Sequence, residues 1–165
     1  MVKNYKPLLM LLATSIFGLV SGQDITVGSI LKPTEINSRY PFSTSPLLVI
    51  TNNEQGTIGI LMNRPISVGT AESLTNIICS RGNKKYFLGG LNNIYQPLAF
   101  NLPTENYLID PFPITLDDSM LALLDPNEVC TDPKSHIFFG FEFWNPGQLQ
   151  FELSSEFWEL EVLDQ

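Results

Sequence analysis

Short apolar runs separated by polar turns predict a strand-rich domain after residue 23. Val27–Leu31 is a first short strand, and Leu47–Thr51 and Thr57–Met62 lie on either side of the polar segment Asn52–Gly56. Runs of aliphatic and β-branched residues bounded by Asn and Gly are typical of strands joined in a hairpin. The pattern therefore predicts a hairpin early in the domain.

Further strand patterns follow in the second half of the chain. Tyr86–Leu88, Leu98–Asn101 and Tyr107–Asp110 are short apolar runs divided by glycines and prolines, which favours a meander. His136–Phe143 is a dense aromatic run, and the alternation in Trp158–Val162 is typical of a half-buried strand. Strands therefore outnumber helices in the prediction.

Apolar residues at helical spacing predict three helices. The first is capped by Thr70 and ends near Gly82, and the second begins at Thr115 and stops before Pro126. The third follows the turn Asn145–Gly147. Their apolar faces contain Ala71, Leu74, Ile77 and Ile78 in the first, Leu116, Met120, Leu123 and Leu124 in the second, and Leu149 and Leu153 in the third. Strands joined by hairpins with helices inserted between them predict an α+β class.

The first 22 residues have a different pattern. Lys3 and Lys6 precede the uncharged apolar run Leu8–Val20, which gives way to polar residues at Gln23. This order is typical of a secretory signal peptide, and the run is shorter than the roughly 20 residues that span a bilayer. We expect residues 1–22 to be a leader and residues 23–165 to be one domain, with a core helix or an uncleaved signal anchor as alternatives. Membrane attachment is expected only through such an anchor.

Composition and charge narrow the class of protein. With 44% hydrophobic and 16% charged residues in 165, the chain can bury a core and is not disordered. The formal net charge is −8, and no basic stripe extends beyond Lys84 and Lys85. Direct nucleic-acid binding is therefore not expected, because it depends on Lys and Arg that neutralise phosphates.

The cysteine and histidine content argues against a metal site. Cys79 and Cys130 could form a disulfide in an oxidising compartment, or remain as two buried thiols. One histidine and two separated cysteines cannot fill a tetrahedral zinc shell. A carboxylate metal site stays open as an alternative, but the tightest acidic pair, Asp117-Asp118, is a weak signal for one, and no cofactor or metal is predicted. No Gly-x-Ser-x-Gly elbow occurs, and His136 lies in an apolar strand pattern that favours a structural role. No catalytic residue is predicted.

Six residues are candidates for a binding surface: Asn63, Arg64, Gly89, Gly90, Trp144 and Gln148. Arg64 has a planar donor fork that could hold a carboxylate or a phosphate, or it could pair internally with an acid such as Glu152. The two glycines could offer backbone N–H groups to an anion or form a tight turn. The Trp144 ring could line the rim of a cleft or close the core over the sheet.

Several motifs in this order resemble the YqgE/AlgH family over nearly all of residues 25–163. They are Gly28–Leu31, Phe42, Gly56–Gly59, Asn63–Pro65, Phe87–Gly90, Phe139-Gly140, Trp144–Leu149, Glu152-Leu153 and Trp158. The resemblance implies a single α+β domain in which a bifurcated mixed sheet closes into a pseudo-barrel with flanking helices. It also implies an uncharacterised, mostly bacterial and cytosolic group with a suggested regulatory connection to alginate production in one branch. The chain departs from the family pattern at Leu91-Asn92 and at Phe143.

The function that these observations favour is a non-enzymatic binding or regulatory domain. It would be exported, with the cytosol as the alternative implied by the family, and would hold a small anionic ligand or a protein segment at the six candidate residues. One alternative is an unrecognised hydrolase or transferase that uses the same cleft with His136 or an acid as general base. Another is a structural protein that self-associates through the aromatic segment His136–Trp144.

Overall fold

The computed structural model describes residues 24–39, 44–75, 79, 85–103, 107, 111, 113–116, 121–122, 130–131 and 135–162. The predicted leader, residues 1–22, lies outside these described residues. Within them, no helix is long and apolar enough to cross a membrane.

Nine strands form one mixed sheet in the described part of the chain. They are β1 (Ile30–Pro33), β2 (Leu47–Asn53), β3 (Gly56–Leu61), β4 (Pro65–Ile66), β5 (Tyr86–Leu88), β6 (Asn92–Asn101), β7 (Leu121–Ala122), β8 (Ser135–Trp144) and β9 (Trp158–Glu161). The described helices are a 3-10 helix (Glu35–Arg39), α1 (Val68–Leu74) and α2 (Gln148–Ser154). The predicted α+β class is confirmed.

Several local predictions are confirmed. β2 and β3 form the expected antiparallel hairpin, which closes where Asn53 pairs with Gly56. The Gln55 N–H donates to the Asn53 side-chain oxygen at 2.8 Å, so the polar turn residues stabilise their own bend. The aromatic run forms β8, the turn at Asn145–Gly147 leads into α2, and β9 follows with its alternating pattern.

β8 lies at the point where the sheet divides. Its residues 142–144 pair antiparallel with β3, and residues 137–139 pair parallel with β5. Its other edge pairs antiparallel with β6. The sheet is therefore bifurcated at β8, but among the described strands the path runs from β4 to β9 with no pairing that joins its two ends. The expected closure into a pseudo-barrel is not supported.

Three glycines permit the backbones to cross at this division. Gly140 has φ +75°, and a Cβ atom there would lie 2.4 Å from the Gly90 carbonyl oxygen. A Cβ atom at Gly90 would lie 2.1 Å from the Phe141 carbonyl carbon, and one at Gly89 would lie 2.4 Å from the Gly140 oxygen. Only glycine fits such an approach and such a φ. The Gly89 N–H donates to Phe139 at 2.7 Å, and its carbonyl accepts from Leu61 at 2.7 Å.

The core is built on both faces of the sheet. Leu48 and Ile50 of β2 lie in one cluster, while Leu47 and Val49 of the same strand lie in another. A third cluster lies under α1 and includes Ala71, Tyr86 and Phe139, with the half-buried Cys130 packed against it. A strand that is buried on both faces has apolar residues in succession. The sequence of β2 therefore shows little alternation of apolar and polar residues.

Two of the predicted helices need correction. The apolar spacing predicts the second helix across Leu121 and Ala122, but these residues form β7 and pair with Phe100 and Ala99 of β6. Thr115 and Leu116 are not helical, and the rest of that segment lies outside the described residues. Short apolar runs fit helical and strand spacing alike, and here the long-range pairing decides. For the first helix, the N-cap is Ser67 instead of Thr70, since the Ser67 hydroxyl accepts the Thr70 N–H at 3.1 Å.

The predicted meander is wrong. β5 and β6 are neighbours in the sequence, but both pair with β8 and they lie on opposite edges of it. The glycine crossing takes the chain from one edge of β8 to the other, so the two strands do not form a hairpin. Tyr107 has 3-10 conformation instead of strand conformation, and residues 108–110 of the predicted third strand lie outside the described residues.

A disulfide joins Cys79 to Cys130, with their Cα atoms 5.2 Å apart. The Cys79 N–H donates to the Tyr86 hydroxyl at 3.1 Å, which ties the bridge to β5. The bridge therefore links the segment after α1 to the segment before β8.

Replacing Gly140 with alanine should lower the free energy of unfolding by about 3 kcal/mol or more, because left-handed strain adds to a collision with the Gly90 carbonyl. Gly69→Ala is the matched control, since Gly69 lies in α1 and a Cβ atom there has 4.0 Å of space to the Ser67 hydroxyl. The control should gain up to about 1 kcal/mol. Thermal and urea unfolding measure both variants. Equal stabilities would mean that the backbones do not cross as described.

Candidate functional site

The carboxylate of Glu152 lies at the centre of a buried hydrogen-bond network. It is 8% exposed, and its Oε2 accepts the indole N–H of Trp144 at 2.9 Å and that of Trp158 at 2.8 Å. Its Oε1 accepts the Gln148 side-chain amide at 3.2 Å. A buried carboxylate is costly unless such donors satisfy it. Glu152 therefore ties α2 to β8 and β9.

The turn between β8 and α2 positions these donors. The Gln148 side-chain oxygen accepts the Asn145 N–H at 3.2 Å, which leaves the Gln148 amide group directed at Glu152. The rings of Trp144 and Trp158 pack edge to face with centroids 6.2 Å apart and an interplanar angle of 82°. This arrangement is the favoured one for aromatic pairs and orients both indoles toward one carboxylate.

A second carboxylate, Glu142, lies next to this network. It is half-buried on β8, and its Oε1 accepts the N–H of Leu91 at 3.0 Å. Burial raises the pKa of Glu142, the Leu91 hydrogen bond lowers it, and the nearby Glu152 raises it again. The sequence pattern did not predict a role for Glu142. The feature that could have indicated one is a single charged residue between Phe141 and Phe143 in an otherwise apolar strand.

Arg64 lies between β3 and β4 and is half-buried. Its Nε–H donates to the hydroxyl of Ser45 at 2.9 Å, and Ser45 is 3% exposed. Its carbonyl accepts the N–H of Leu88 at 2.8 Å. Asn63 precedes it with an exposed side chain and φ 56°. Glu152, one of the acids considered as a partner for Arg64, accepts hydrogen bonds from two indoles and an amide instead.

The six predicted residues fall into two adjoining groups. Trp144 and Gln148 both contact Glu152, whereas Gly89 and Gly90 lie at the glycine crossing, linked to Arg64 through Leu88. Glu142 lies between the groups, because it binds Leu91 and is close to Glu152. Trp144, Gly89 and Gly90 are buried, and the exposed or half-buried members are Asn63, Arg64 and Gln148. A binding role for these six residues stays a prediction.

His136 lies apart from this arrangement in the outer half of β8. It pairs in register with Phe100, and its ring centroid lies 5.8 Å from that of Phe87. A structural role for His136 stays a prediction. Within the part of the chain that the structure describes, no three His, Cys, Asp or Glu side chains are grouped to hold a metal ion.

Comparisons with known proteins agree on one family. A family model described as AlgH-like matches residues 30–161. The chain is 26% identical over 127 residues to a UPF0301 protein of Myxococcus xanthus strain DK1622, which covers 71% of this chain and 67% of that protein.

Two solved structures share the fold. The solution structure of the AlgH protein from Pseudomonas aeruginosa has a TM-score of 0.56 and 21% identity, covering 83% of this chain and 77% of that one. The crystal structure of a Corynebacterium diphtheriae protein has a TM-score of 0.58 and 19% identity, covering 93% and 84%. At these identities the similarity supports the fold alone.

Replacing Glu142 with glutamine should raise the melting temperature near neutral pH. The pKa of Glu142 is raised above 4.5 in the folded state, so the folded protein binds this proton more tightly than the unfolded chain. The stability that protonated Glu142 gives to the folded state is present below pH 4.5 and is lost as the pH rises through the folded-state pKa. Glutamine keeps the acceptor for Leu91 and does not ionise.

The gain of Glu142→Gln over the unmodified protein should therefore shrink as the pH falls below 4.5. Thermal unfolding across pH measures it, with the exposed Glu54→Gln as control. A difference that is the same at every pH would contradict the assignment.

Proposed function

The chain belongs to the AlgH-like family, and we propose that it is a non-enzymatic binding domain that recognises an anionic group through Arg64. The anionic group belongs to a small ligand or to a segment of another protein. The observation that carries this proposal is the Arg64 guanidinium, which is half-buried and oriented by its bond to the buried Ser45.

The geometry around Arg64 favours specific recognition of an anion, because the guanidinium is held in one orientation. A guanidinium has five N–H donors in a fixed fork that suits a carboxylate or phosphate, and the bond from Nε–H to Ser45 orients this fork. The backbone at Arg64 is fixed by Leu88, so binding an anion needs little further ordering. The exposed amide of Asn63 can add one more donor beside it.

The remaining candidate residues support a role in the fold instead of in chemistry. Glu152 is satisfied by Trp144, Trp158 and Gln148, and His136 packs against Phe87. A catalytic group needs access to substrate, and the carboxylate of Glu152 is buried in internal contacts. A regulatory domain that responds to a bound anion fits this distribution.

A catalytic alternative has one observation in its favour. Burial and the neighbouring Glu152 raise the pKa of Glu142, and a carboxylic acid with a raised pKa is typical of a general acid. This alternative requires turnover of an ester, phosphoester or glycoside that Glu142→Gln removes. In the binding function proposed here, Glu142 supports the turn at Leu91.

The proposed function includes export. The basic and apolar pattern of residues 1–22 is typical of a signal peptide, and a disulfide between Cys79 and Cys130 suits an oxidising compartment. The alternative is a cytosolic protein, as the family resemblance implies.

Replacing Arg64 with alanine should abolish anion binding while the fold is retained. The unmodified protein is titrated with phosphate, pyrophosphate and citrate, and an increase in melting temperature reports binding to the folded state. Arg64→Ala should lose that increase, and Arg64→Lys should keep only part of it because lysine lacks the fork. Lys85→Ala is the matched control, since it removes an exposed cation elsewhere. Equal losses in the Lys85 and Arg64 variants, or no increase in the unmodified protein, would contradict the proposal.

Intact mass tests the compartment. The protein is recovered from fractions of its native host and alkylated with and without reductant. Export predicts a chain that starts at Gln23, with Cys79 and Cys130 protected from alkylation until they are reduced. A full-length chain whose cysteines react without reductant would place the protein in the cytosol.

A further inference from the structure

An open cavity lies at the far end of β1 and β9, where the 3-10 helix Glu35–Arg39 faces the turn between α2 and β9. Its volume is about 440 Å³, within the range of ligand-binding pockets. The described residues that line it are Thr34, Glu35, Ile36, Leu153, Glu156, Trp158 and Glu159. None of the six residues considered for the anion site contributes to it.

Hydrogen bonds fix the two walls of this cavity against each other. The Thr34 N–H donates to the Phe157 carbonyl at 3.2 Å, and the Thr34 hydroxyl donates to the carbonyl of Glu156. The Phe157 N–H in turn donates to the Glu152 carbonyl at 2.9 Å. The cavity is therefore bounded by anchored backbone on both sides, and a ligand would meet a preformed shape.

The lining combines an apolar floor with an acidic rim. Leu153 and Trp158 belong to the second core cluster, and Ile36 has an apolar side chain that is 51% exposed. Glu35, Glu156 and Glu159 are exposed around them, and among the described lining residues none is basic. An apolar surface with carboxylates on several sides is complementary to a group that is both apolar and cationic.

The described ion pair of Lys32 is with an acid outside the cavity lining. Lys32 of β1 is opposite Glu159 of β9 in register, but its ammonium binds the carboxylate of Glu161 at 2.6 Å. Among the side chains that the structure describes, no ion pair includes Glu35, Glu156 or Glu159. The rim therefore carries three carboxylates in a protein that is already acidic overall.

Glu156 is held on the rim by an unusual backbone conformation. It follows the end of α2 with φ 60°, a left-handed position that glycine or asparagine usually occupies. Its N–H donates to the Leu153 carbonyl at 3.0 Å, as expected for a residue that ends a helix. A glutamate at this position is less stable than a glycine would be, so its presence calls for a reason other than the turn itself.

We propose that this cavity is a docking site for a basic, apolar segment of a partner protein. The three carboxylates come from three different elements, so they match cations spaced along a chain better than a single cation on a small molecule. Lysine and arginine also carry apolar stems that can lie on Ile36 while the charged ends reach the rim. This site is independent of the anion site at Arg64 and has the opposite charge preference.

The probe is a short dye-labelled peptide of alternating leucine and lysine, and fluorescence anisotropy with the full chain at about 0.1 M salt measures its binding. A matched peptide of leucine and glutamate should not bind. The variant Glu35→Gln, Glu156→Gln, Glu159→Gln should weaken the leucine-lysine peptide about tenfold, because each exposed ion pair contributes little and three act together. Ile36→Ser should also weaken it.

The matched control variant is Asp24→Asn, Glu54→Gln, Glu72→Gln, which removes the same charge from exposed positions away from the cavity. It should change the affinity by no more than about twofold, because exposed charges more than about 10 Å away are largely screened at 0.1 M salt. Equal weakening by the two triple variants, or equal binding of the acidic peptide, would overturn the proposal.

Glu156→Gly separates docking from stability. Glycine relieves the left-handed strain, so the melting temperature should stay the same or rise while peptide affinity falls. Arg64→Ala should leave the peptide affinity unchanged, so the two sites can fail separately. Unchanged peptide affinity in Glu156→Gly and in the rim triple variant would mean that the rim does not bind the peptide.

Discussion

The close approach of backbone at Gly89, Gly90 and Gly140 is the constraint on which the rest of the fold depends. At this crossing, β8 passes from its pairing with β5 to its pairing with β3, and the Gly89 peptide group bonds to both Phe139 and Leu61. Any Cβ atom at the three positions would collide with backbone that cannot move aside. Glycine is therefore required here for contact between main chains.

Local patterns in the sequence were sufficient for elements that neighbouring residues determine. The β2–β3 hairpin, the aromatic strand β8, the turn into α2 and the alternating β9 all follow from turn residues and periodicity. β7 and the edges of β8 depend on residues far away in the chain, so periodicity at Leu121-Ala122 could not distinguish a strand from a helix. The family resemblance implied a bifurcated sheet, whereas the pseudo-barrel it also implied is not supported by the described pairings.

The residue types of the candidate site could be predicted from the sequence, but the roles of those residues in the structure could not. Trp144 and Gln148 stood out in the sequence, yet their function in the structure is to satisfy Glu152, together with Trp158. Nothing local shows that two tryptophans fourteen positions apart would share one carboxylate, because α2 must first fold between them. Arg64 keeps a half-buried guanidinium near the surface, and the acid-rimmed cavity forms only when the 3-10 helix meets the end of α2. The buried candidates Trp144, Gly89 and Gly90 thus contribute to the fold.

Hydrogen exchange tests most directly whether the buried candidate residues are part of the internal structure. The amides of Gly89 and Leu61 and the indole N–H groups of Trp144 and Trp158 are all donors in buried hydrogen bonds. If these groups are internal structure, all four should exchange only through global unfolding, with protection close to the full stability of the domain. Exchange of the Trp144 indole or the Gly89 amide through local opening, while the remaining core stays protected, would show an accessible cleft at these residues and would contradict the account.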